Sequence, residues 1–372
     1  MEKLLRFARN ATGIALVVLT LILLLNTYSI LKLSKEVNSI TEKNREAEKP
    51  VSVNVALLGC SGTECVKLDQ ELTALKTNSK LKIEEEKSYT KETAKDLITK
   101  YSIKRLPAIV VTSSNLDKFS LDGYVKSNDA LVFETIQVPY EDAVTGKVVG
   151  LVTSTVISEA SCKECPKLSL IVNNLEQAGV VISEKRNLNA DEAKDLLVTY
   201  NITKLPSLIL SSEFSNYELA SNWQLLDHIA VDKNYVLDLQ SPPYYDLKTK
   251  KIPGLVTVTT INDAICTNCY NATQVHLPII LRFGVYVKNE KSLDASSAEA
   301  VQLIQKYKIT SLPTVLMSKE AVDYTGLVNA WKDVGSIESD NVMIFRKNEI
   351  LGLAYKDLAT GKIVEPAPQV AA

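Results

Sequence analysis

Three pairs of closely spaced cysteines are the residues of this sequence best suited to chemistry, and together they account for all six of its cysteines. The pairs are Cys60 with Cys65, Cys162 with Cys165, and Cys266 with Cys269. Two thiols at such spacing can exchange electrons with another disulfide, close a structural disulfide or help to bind a metal. About forty residues after each pair comes a Leu-Pro step that opens an apolar run: Leu106-Pro107, Leu205-Pro206 and Leu312-Pro313.

The recurrence of both features predicts a domain that is built three times. The repeat distance is roughly 100 residues, and a chain of 372 residues can hold three domains of that size, each with its own core. The expected bounds are 51–148, 149–252 and 253–364, referred to as copies 1, 2 and 3.

Composition argues against two classes of function. Acidic and basic residues number 44 and 42 without a strong block of either sign, so no nucleic-acid-binding surface is expected. The only histidines, His228 and His276, are too few to favour a histidine-based metal or hydrolase site. A metal shared by two cysteine pairs would require separate domains to converge on one tetrahedral site. We therefore expect neither a metal nor a dissociable cofactor.

The N-terminal segment predicts a membrane anchor. Residues 11–31 form an apolar run that reaches the roughly 20 residues needed to cross a bilayer as a helix. Basic residues precede the run, so the leader, 1–10, should remain in the cytoplasm. No small-residue cleavage pattern closes the run, which favours an uncleaved signal anchor over a signal peptide.

Two further segments flank the three copies. Residues 32–50 predict a helical stalk, and residues 365–372 predict a disordered tail. The protein would be a single-pass cell-membrane protein whose three domains lie outside the cytoplasm, where disulfides persist.

Copy 2 shows the order of elements most clearly. Strands are expected at 151–157, 180–182 and 208–210, with a helix after each of the first two. Pro166 suits the first turn of the helix that follows Cys165. Capping boxes are expected at Asn189 with Glu192 and, in copy 3, at Ser296 with Glu299. Copy 1 is looser, because four residues separate its cysteines; aligning the later cysteines places Cys65 opposite Cys165.

This β-α-β-α-β order, with a cysteine pair at the first strand–helix junction and a proline opening the third strand, resembles the thioredoxin fold. The residues that carry the resemblance are a Tyr-x-Ile-x-x-Leu-Pro run in each copy, from Tyr101, Tyr200 and Tyr307, together with the upstream cysteines. About sixty residues of each copy are covered. The resemblance implies an α/β protein with three tandem thioredoxin-like domains, each a central mixed sheet flanked by helices. The apolar run at 11–31 adds the N-terminal transmembrane helix to this expected fold. It also implies that Pro107, Pro206 and Pro313 are cis and lie beside the dithiols.

The same resemblance assigns roles to the cysteines. In a CxxC site the first thiolate attacks a substrate disulfide, the second resolves the mixed disulfide, and a helix N-terminus stabilises the thiolate. Cys162 and Cys266 would then be nucleophiles, with Cys165 and Cys269 resolving. Cys60 and Cys65 could act in this way across their longer loop, although a structural disulfide is the favoured interpretation for that pair.

These observations predict a membrane-anchored extracytoplasmic thiol–disulfide oxidoreductase or isomerase. Its partners would be thiols or disulfides of exported proteins and an unknown electron-transfer partner, with no nucleic acid. The alternative is a non-enzymatic surface or scaffold protein in which thioredoxin-like units carry structural disulfides.

Overall fold

The computed structural model describes residues 49–221, 228–230 and 232–366, together with 27, 29 and 31–38. The expected leader, nearly all of the transmembrane segment, part of the stalk and most of the C-terminal tail lie outside these residues. Residues 31–38 are helical and exposed. No helix in the described part of the chain combines the length and apolar character needed to span a membrane.

The fold is mixed α/β and repeats one five-stranded sheet three times. The chain divides into two compact units, Met1–Val149 and Gly150–Ala372, of which the first contains one such sheet and the second contains two. The first strand of each sheet pairs in parallel with the second and antiparallel with the strand that follows the Leu-Pro step. A hairpin completes the sheet on the side of that third strand.

The strands and helices of each copy have the following bounds. Copy 1 contains β1 (Val51–Leu58), α1 (Asp69–Thr77), β2 (Leu81–Tyr89), α2 (Lys95–Tyr101), β3 (Arg105–Leu106), β4 (Ala108–Thr112), β5 (Val125–Ser127), β6 (Ala130–Glu134), β7 (Tyr140–Asp142) and β8 (Val148–Val149). Copy 2 contains β9 (Val152–Ser158), α3 (Ser169–Gln177), β10 (Ile182–Asn189), α4 (Lys194–Thr199), β11 (Lys204–Leu205), β12 (Ser207–Leu210), α5 (Glu218–Ser221), β13 (His228–Ile229), β14 (Tyr235–Leu237) and β15 (Tyr245–Asp246). Copy 3 contains β16 (Val256–Asn262), α6 (Ala272–Arg282), β17 (Val287–Asp294), α7 (Ala298–Tyr307), β18 (Ser311–Leu312), β19 (Thr314–Met317), α8 (Thr325–Trp331), β20 (Gly335–Ile337), β21 (Met343–Phe345), β22 (Tyr355–Asp357) and β23 (Ile363–Val364).

Each copy also has a second, smaller sheet that holds the residue before the proline. The strand orders are β3-β7-β8 in copy 1, β11-β15 in copy 2 and β18-β22-β23 in copy 3. The chain therefore leaves the small sheet and enters the main one at the Leu-Pro step. In the main sheet the third strand is buried on both faces: in copy 1, Ile109 packs on the side of α1 and Val110 on the side of α2, because successive strand residues face opposite ways.

Two of the expected helix caps can be compared with the structure. Asn189 and Glu192 make the expected reciprocal side chain-to-backbone hydrogen bonds of 2.9 and 3.0 Å. These bonds close the turn that leads into α4, which begins at Lys194, and Ala193 directly before α4 makes no side-chain cap bond. The expected cap at Ser296 is wrong. Ser297 caps α7 by accepting a hydrogen bond from the Ala300 N–H at 3.3 Å, whereas the Ser296 hydroxyl donates to Asp294.

Buried tyrosine hydroxyls fix the backbone where copies 2 and 3 begin. Tyr324 Oη donates to the Gly254 carbonyl at 2.7 Å and accepts from the Tyr286 N–H at 2.8 Å. Tyr217 makes the corresponding bond to the Gly150 carbonyl in copy 2 at 2.7 Å. Gly254 has a φ of +75°, and a Cβ there would lie 2.4 Å from the Pro242 side chain, so this junction requires glycine.

Replacing Tyr324 with Phe should lower the free energy of unfolding of the second unit by about 1–3 kcal/mol, because one buried carbonyl and one N–H lose their partner. Urea unfolding measures the change. Tyr286→Phe is the matched control, since it removes the hydroxyl of a side chain that is 37 % exposed. Equal stability of the Tyr324 and Tyr286 variants would contradict the assigned role of the junction.

Candidate functional site

The six cysteines form three disulfides within their own loops: Cys60–Cys65, Cys162–Cys165 and Cys266–Cys269. The Cα atoms are 6.4 Å apart in the first pair and 5.4 Å apart in each of the others. No group of three or more His, Cys, Asp or Glu side chains among the described residues is arranged to hold a metal ion.

The peptide bonds before Pro107, Pro206 and Pro313 are cis. In copy 1, Cys60 Sγ lies 3.2 Å from the carbonyl oxygen of Leu106, the residue before the proline. In copy 2 the corresponding contact, between Cys165 Sγ and the Leu205 carbonyl oxygen, is 3.6 Å long. The first cysteine of copy 1 thus lies where copy 2 places its second. The sequence alignment of Cys65 with Cys165 does not describe this arrangement, in which Cys60 makes the contact that Cys165 makes in copy 2.

The helices begin after the cysteine loops and not at the cysteines. In copy 2, α3 begins at Ser169, so Pro166 lies before the helix and outside the first turn where it was expected. In copy 3, Asn271 caps α6 with its side chain, which accepts from the Gln274 N–H at 3.1 Å. The electrostatic effect of a helix end fades within its first turn, so α3 and α6 stabilise a thiolate less than the sequence suggested.

Two of the disulfides line open clefts that also contain the cis proline. In copy 1 the cleft has a volume of about 500 Å³ and is lined mainly by apolar residues around Cys60, Cys65 and Pro107. In copy 2 the cleft has a volume of about 490 Å³ and brings Lys163 and Lys167 beside Cys162, Cys165 and Pro206.

Copy 3 differs, because its first cysteine is covered. Cys266 is only 7 % exposed, although a nucleophilic sulfur was expected to be reachable. A cavity of about 160 Å³ in this copy lies between β16, α6 and β17, and its lining contains no cysteine.

One position beside the cysteine loops carries a different residue in each copy. The leucine before each cis proline pairs across the small sheet with Glu141 in copy 1, Tyr245 in copy 2 and Lys356 in copy 3. The register is the same each time. One backbone position therefore presents an acidic, a neutral and a basic side chain.

In copy 1 this residue holds the cysteine loop. Glu141 is 1 % exposed and accepts hydrogen bonds from the backbone N–H and the hydroxyl of Ser61 at 2.7 and 3.1 Å, and from Lys91 Nζ at 2.5 Å. Burial alone would raise the pKa of Glu141, but the bonds from Lys91 and Ser61 outweigh it and keep the pKa below the usual value. The carboxylate is therefore charged at neutral pH and fixes the residue next to Cys60.

In copy 3 the charges are reversed. Lys356 Nζ lies 2.6 Å from the largely buried side-chain carboxylate of Asp263. The backbone carbonyl of the same residue accepts a hydrogen bond of 3.0 Å from the Cys266 N–H. A backbone bond of 3.1 Å from Tyr270 N–H to the Ala354 carbonyl adds a second link, and copy 1 has its counterpart from Val66 to Pro139. Both loops are thus tied to the strand that enters the small sheet.

Copy 2 lacks both kinds of link in the described part of the chain. Tyr245 carries no charge, and Pro166, which follows Cys165, has no N–H to donate. The loop is held by local bonds, such as Cys162 N–H to the Glu159 carbonyl at 3.0 Å, and by an ion pair of 3.6 Å between Glu164 and Lys288. Cys162–Cys165 therefore lies in the least constrained of the three loops.

Copy 3 also places a buried polar network between its cysteine loop and its cis proline. Tyr270 Oη lies 2.9 Å from the Pro313 carbonyl oxygen, 2.5 Å from Asn348 Oδ1 and 3.0 Å from His276 Nε2. Burial raises the pKa of Tyr270 and lowers the pKa of His276 to about 4, so both are neutral at pH 7. The residue after Cys269 is thereby fixed to the Leu-Pro step without a charge.

The sequence reasoning missed Glu141, Lys356 and Tyr270 as residues of these sites. A signal for the first two was present, because both stand between Tyr and Asp in a recurring turn: Tyr140-Glu141-Asp142 and Tyr355-Lys356-Asp357. The pairing of that turn with the Leu-Pro step cannot be inferred from spacing alone.

Comparisons with known proteins give similarity to solved structures only. No family model matches the chain, and no curated protein matches it. ERdj5 in its crystal form II shares 11 % identity over 77 % of this chain and 39 % of its own, with a TM-score of 0.16. A protein disulfide oxidoreductase from Aeropyrum pernix shares 18 % identity over 46 % of this chain and 81 % of its own, with a TM-score of 0.14. Human ERp44 in its zinc-bound form shares 10 % identity over 73 % of this chain and 79 % of its own, with a TM-score of 0.13.

The chain spans about 39 % of the length of ERdj5, and at these identities and TM-scores the similarity does not extend to activity. The thioredoxin-like character of the copies rests on their own strand order, the cysteine loop after the first strand and the cis proline before the third.

Replacing Glu141 with Gln should speed reduction of Cys60–Cys65 by a phosphine about tenfold, because the loop loses charge-assisted bonds worth about 1.5–3 kcal/mol. Mass spectrometry after alkylation gives the rate for each pair. Glu86→Gln, which alters an exposed ion pair with Lys76 in the same copy, is the control and should leave the rate unchanged. Because the pKa of Glu141 is lowered, the wild-type loop should stay protected above about pH 4.3 and open only as the pH falls further. Equal rates for wild type and Glu141→Gln would remove this role from Glu141.

Proposed function

We propose that the protein is a thiol–disulfide oxidoreductase or isomerase whose working pair is Cys162–Cys165. One observation carries the proposal: this pair lines an open cleft with the cis proline Pro206. Among the described residues, its loop has neither a buried ion pair nor a backbone bond to the segment that leads into β15. Breaking and re-forming a disulfide requires its loop to move, and this loop is the least restrained.

The contacts of the two sulfurs support separate roles for them. Cys165 Sγ faces the Leu205 carbonyl, so Cys162 is the sulfur left to meet a substrate. The Cys162 thiolate attacks a substrate disulfide, forms a mixed disulfide and expels one substrate thiolate. Cys165 then attacks Cys162 Sγ, which releases the second substrate thiolate and leaves Cys162–Cys165 oxidised. An electron donor returns the pair to the dithiol; in the reverse direction the pair oxidises its substrate.

The other two pairs are proposed as structural disulfides. In copy 1, Glu141 and Lys91 hold the loop, and in copy 3 Cys266 is covered while Lys356 and Tyr270 hold its surroundings. The same constraints favour the second candidate function, a non-enzymatic scaffold or surface protein, if copy 2 proves inactive as well.

Replacing Cys162 with Ser in the full-length chain should lower insulin reduction or refolding of scrambled ribonuclease at least tenfold, because no thiolate remains to form the mixed disulfide. Cys266→Ser is the matched control, and it should retain most of the activity. Comparable losses in the two variants would refute the assignment to copy 2. An inactive wild-type chain would exclude the enzyme and leave the scaffold.

We further propose that the apolar segment 11–31 anchors the protein in the cell membrane with copies 1 to 3 outside the cytoplasm, where thiols of exported proteins are its substrates. The length of the segment, its preceding basic residues and the three disulfides support this placement. Protease added to intact producing cells should digest the three copies, whereas a cytoplasmic marker protein should survive. Protection of the copies until the cells are lysed would show the opposite orientation.

A further inference from the structure

Copy 3 supplies a charged side chain to the cysteine loop of copy 2. Lys288 Nζ lies 3.6 Å from Oε1 of Glu164, one of the two residues between Cys162 and Cys165. Both residues belong to the compact unit Gly150–Ala372. The Glu164 side chain is 24 % exposed and that of Lys288 46 %.

A β-bulge places Lys288 where it can make this contact. Val287 pairs with Val256 and Asn289 pairs with Thr257, so Lys288 is the extra residue of an edge strand. A bulge turns the side chain of the extra residue away from the regular alternation of the strand.

The equivalent bulges in the other copies serve as internal comparisons. The extra residues there are Glu84 and Ser183, which bond within their own copies to Ser52 and to the Val152 carbonyl. Among the bulges that the structure describes, the one at Lys288 alone contacts a cysteine loop.

The contact changes the balance of charge around Cys162. Glu159, Lys163 and Lys167 line the same cleft, and Glu164 lies within the loop. Without Lys288 the acidic and basic groups cancel; with it, the basic groups are in excess by one. Ion pairs at this exposure contribute little to stability, about 0–1 kcal/mol, so the structural role of the contact is small. Its charge nevertheless acts on a sulfur that must ionise to react.

We propose that Lys288 is a positioning residue of the copy 2 site, which holds and neutralises Glu164 and thereby favours the Cys162 thiolate. The proposal rests on the proposed function, because it assigns the working pair to copy 2. It makes the reactivity of one copy depend on the edge strand of the next.

The test measures how the rate of Cys162 alkylation by iodoacetamide depends on pH in the full-length, reduced chain. Mass spectrometry gives the extent of alkylation at Cys162. Lys288→Met should raise the pH midpoint of alkylation by about half a unit and slow the reaction at pH 7 about threefold. Lys288→Arg should restore the wild-type midpoint. Raising the salt concentration from 0.05 to 0.5 M should move the wild-type midpoint toward that of Lys288→Met and shift the variant less, because salt screens an exposed pair.

Lys291→Met is the matched control, because Lys291 lies on the same strand and pairs with Glu299 of its own copy at 2.9 Å. It should leave the midpoint unchanged, and urea unfolding should show that both variants are folded. An unchanged midpoint in Lys288→Met, or an equal shift in Lys291→Met, would overturn the proposal. This readout does not require enzymatic turnover. If the wild-type chain has no insulin reductase activity but Lys288→Met shifts the midpoint, the proposed function is refuted and the role of Lys288 is retained. If the wild-type chain is active but Lys288→Met does not shift the midpoint, the role of Lys288 is refuted and the proposed function is retained.

Discussion

The change of sheet at each Leu-Pro step, with its cis proline, is the constraint on which the site geometry depends. The leucine before the proline is paired in the small sheet, and the residue after it enters the main sheet between the first strand and the hairpin. These two pairings fix the carbonyl that the cysteine loop faces in copies 1 and 2. They also fix which side chain of the small sheet lies opposite that leucine. Backbone pairing thus brings a peptide carbonyl and a side chain from a distant turn to the same place beside the cysteine loop.

The three copies keep this backbone and vary the side chains around the disulfide. A buried carboxylate bonds to the loop in copy 1, a lysine does so from the same position in copy 3, and an uncharged tyrosine stands there in copy 2. Burying a charge costs free energy unless it is well paired, so the carboxylate and the lysine bring partners with them, Lys91 and Asp263. The difference in restraint between the loops follows from the residue at this position and from Pro166, which deprives copy 2 of the backbone bond that the other two loops make.

Local patterns were enough to predict the β-α-β-α-β order, the capping box at Asn189 and the recurrence of the cysteine pair with the Leu-Pro step. Each of these depends on residues close together in the chain. The cap of α7 is Ser297 and not Ser296, because two adjacent serines are equally good caps by residue type and the sequence does not distinguish them. The burial of Cys266 and the contacts of Glu141, Lys356 and Lys288 could not be predicted. These contacts join residues fifty or more positions apart in the chain, which strand pairing and packing bring together and which local spacing does not encode.

The bulged edge strands have a consequence for how the protein behaves among its neighbours. Each main sheet ends in a long strand with an open row of N–H and carbonyl groups, and such an edge can pair with another chain. In every copy that strand carries several charges, such as Glu84, Glu85 and Glu86 in β2, and a bulge that interrupts its ladder. A molecule with three such edges would otherwise be prone to aggregate by strand addition. The β-bulge that brings Lys288 to the cysteine loop of copy 2 therefore also opposes strand pairing between separate molecules.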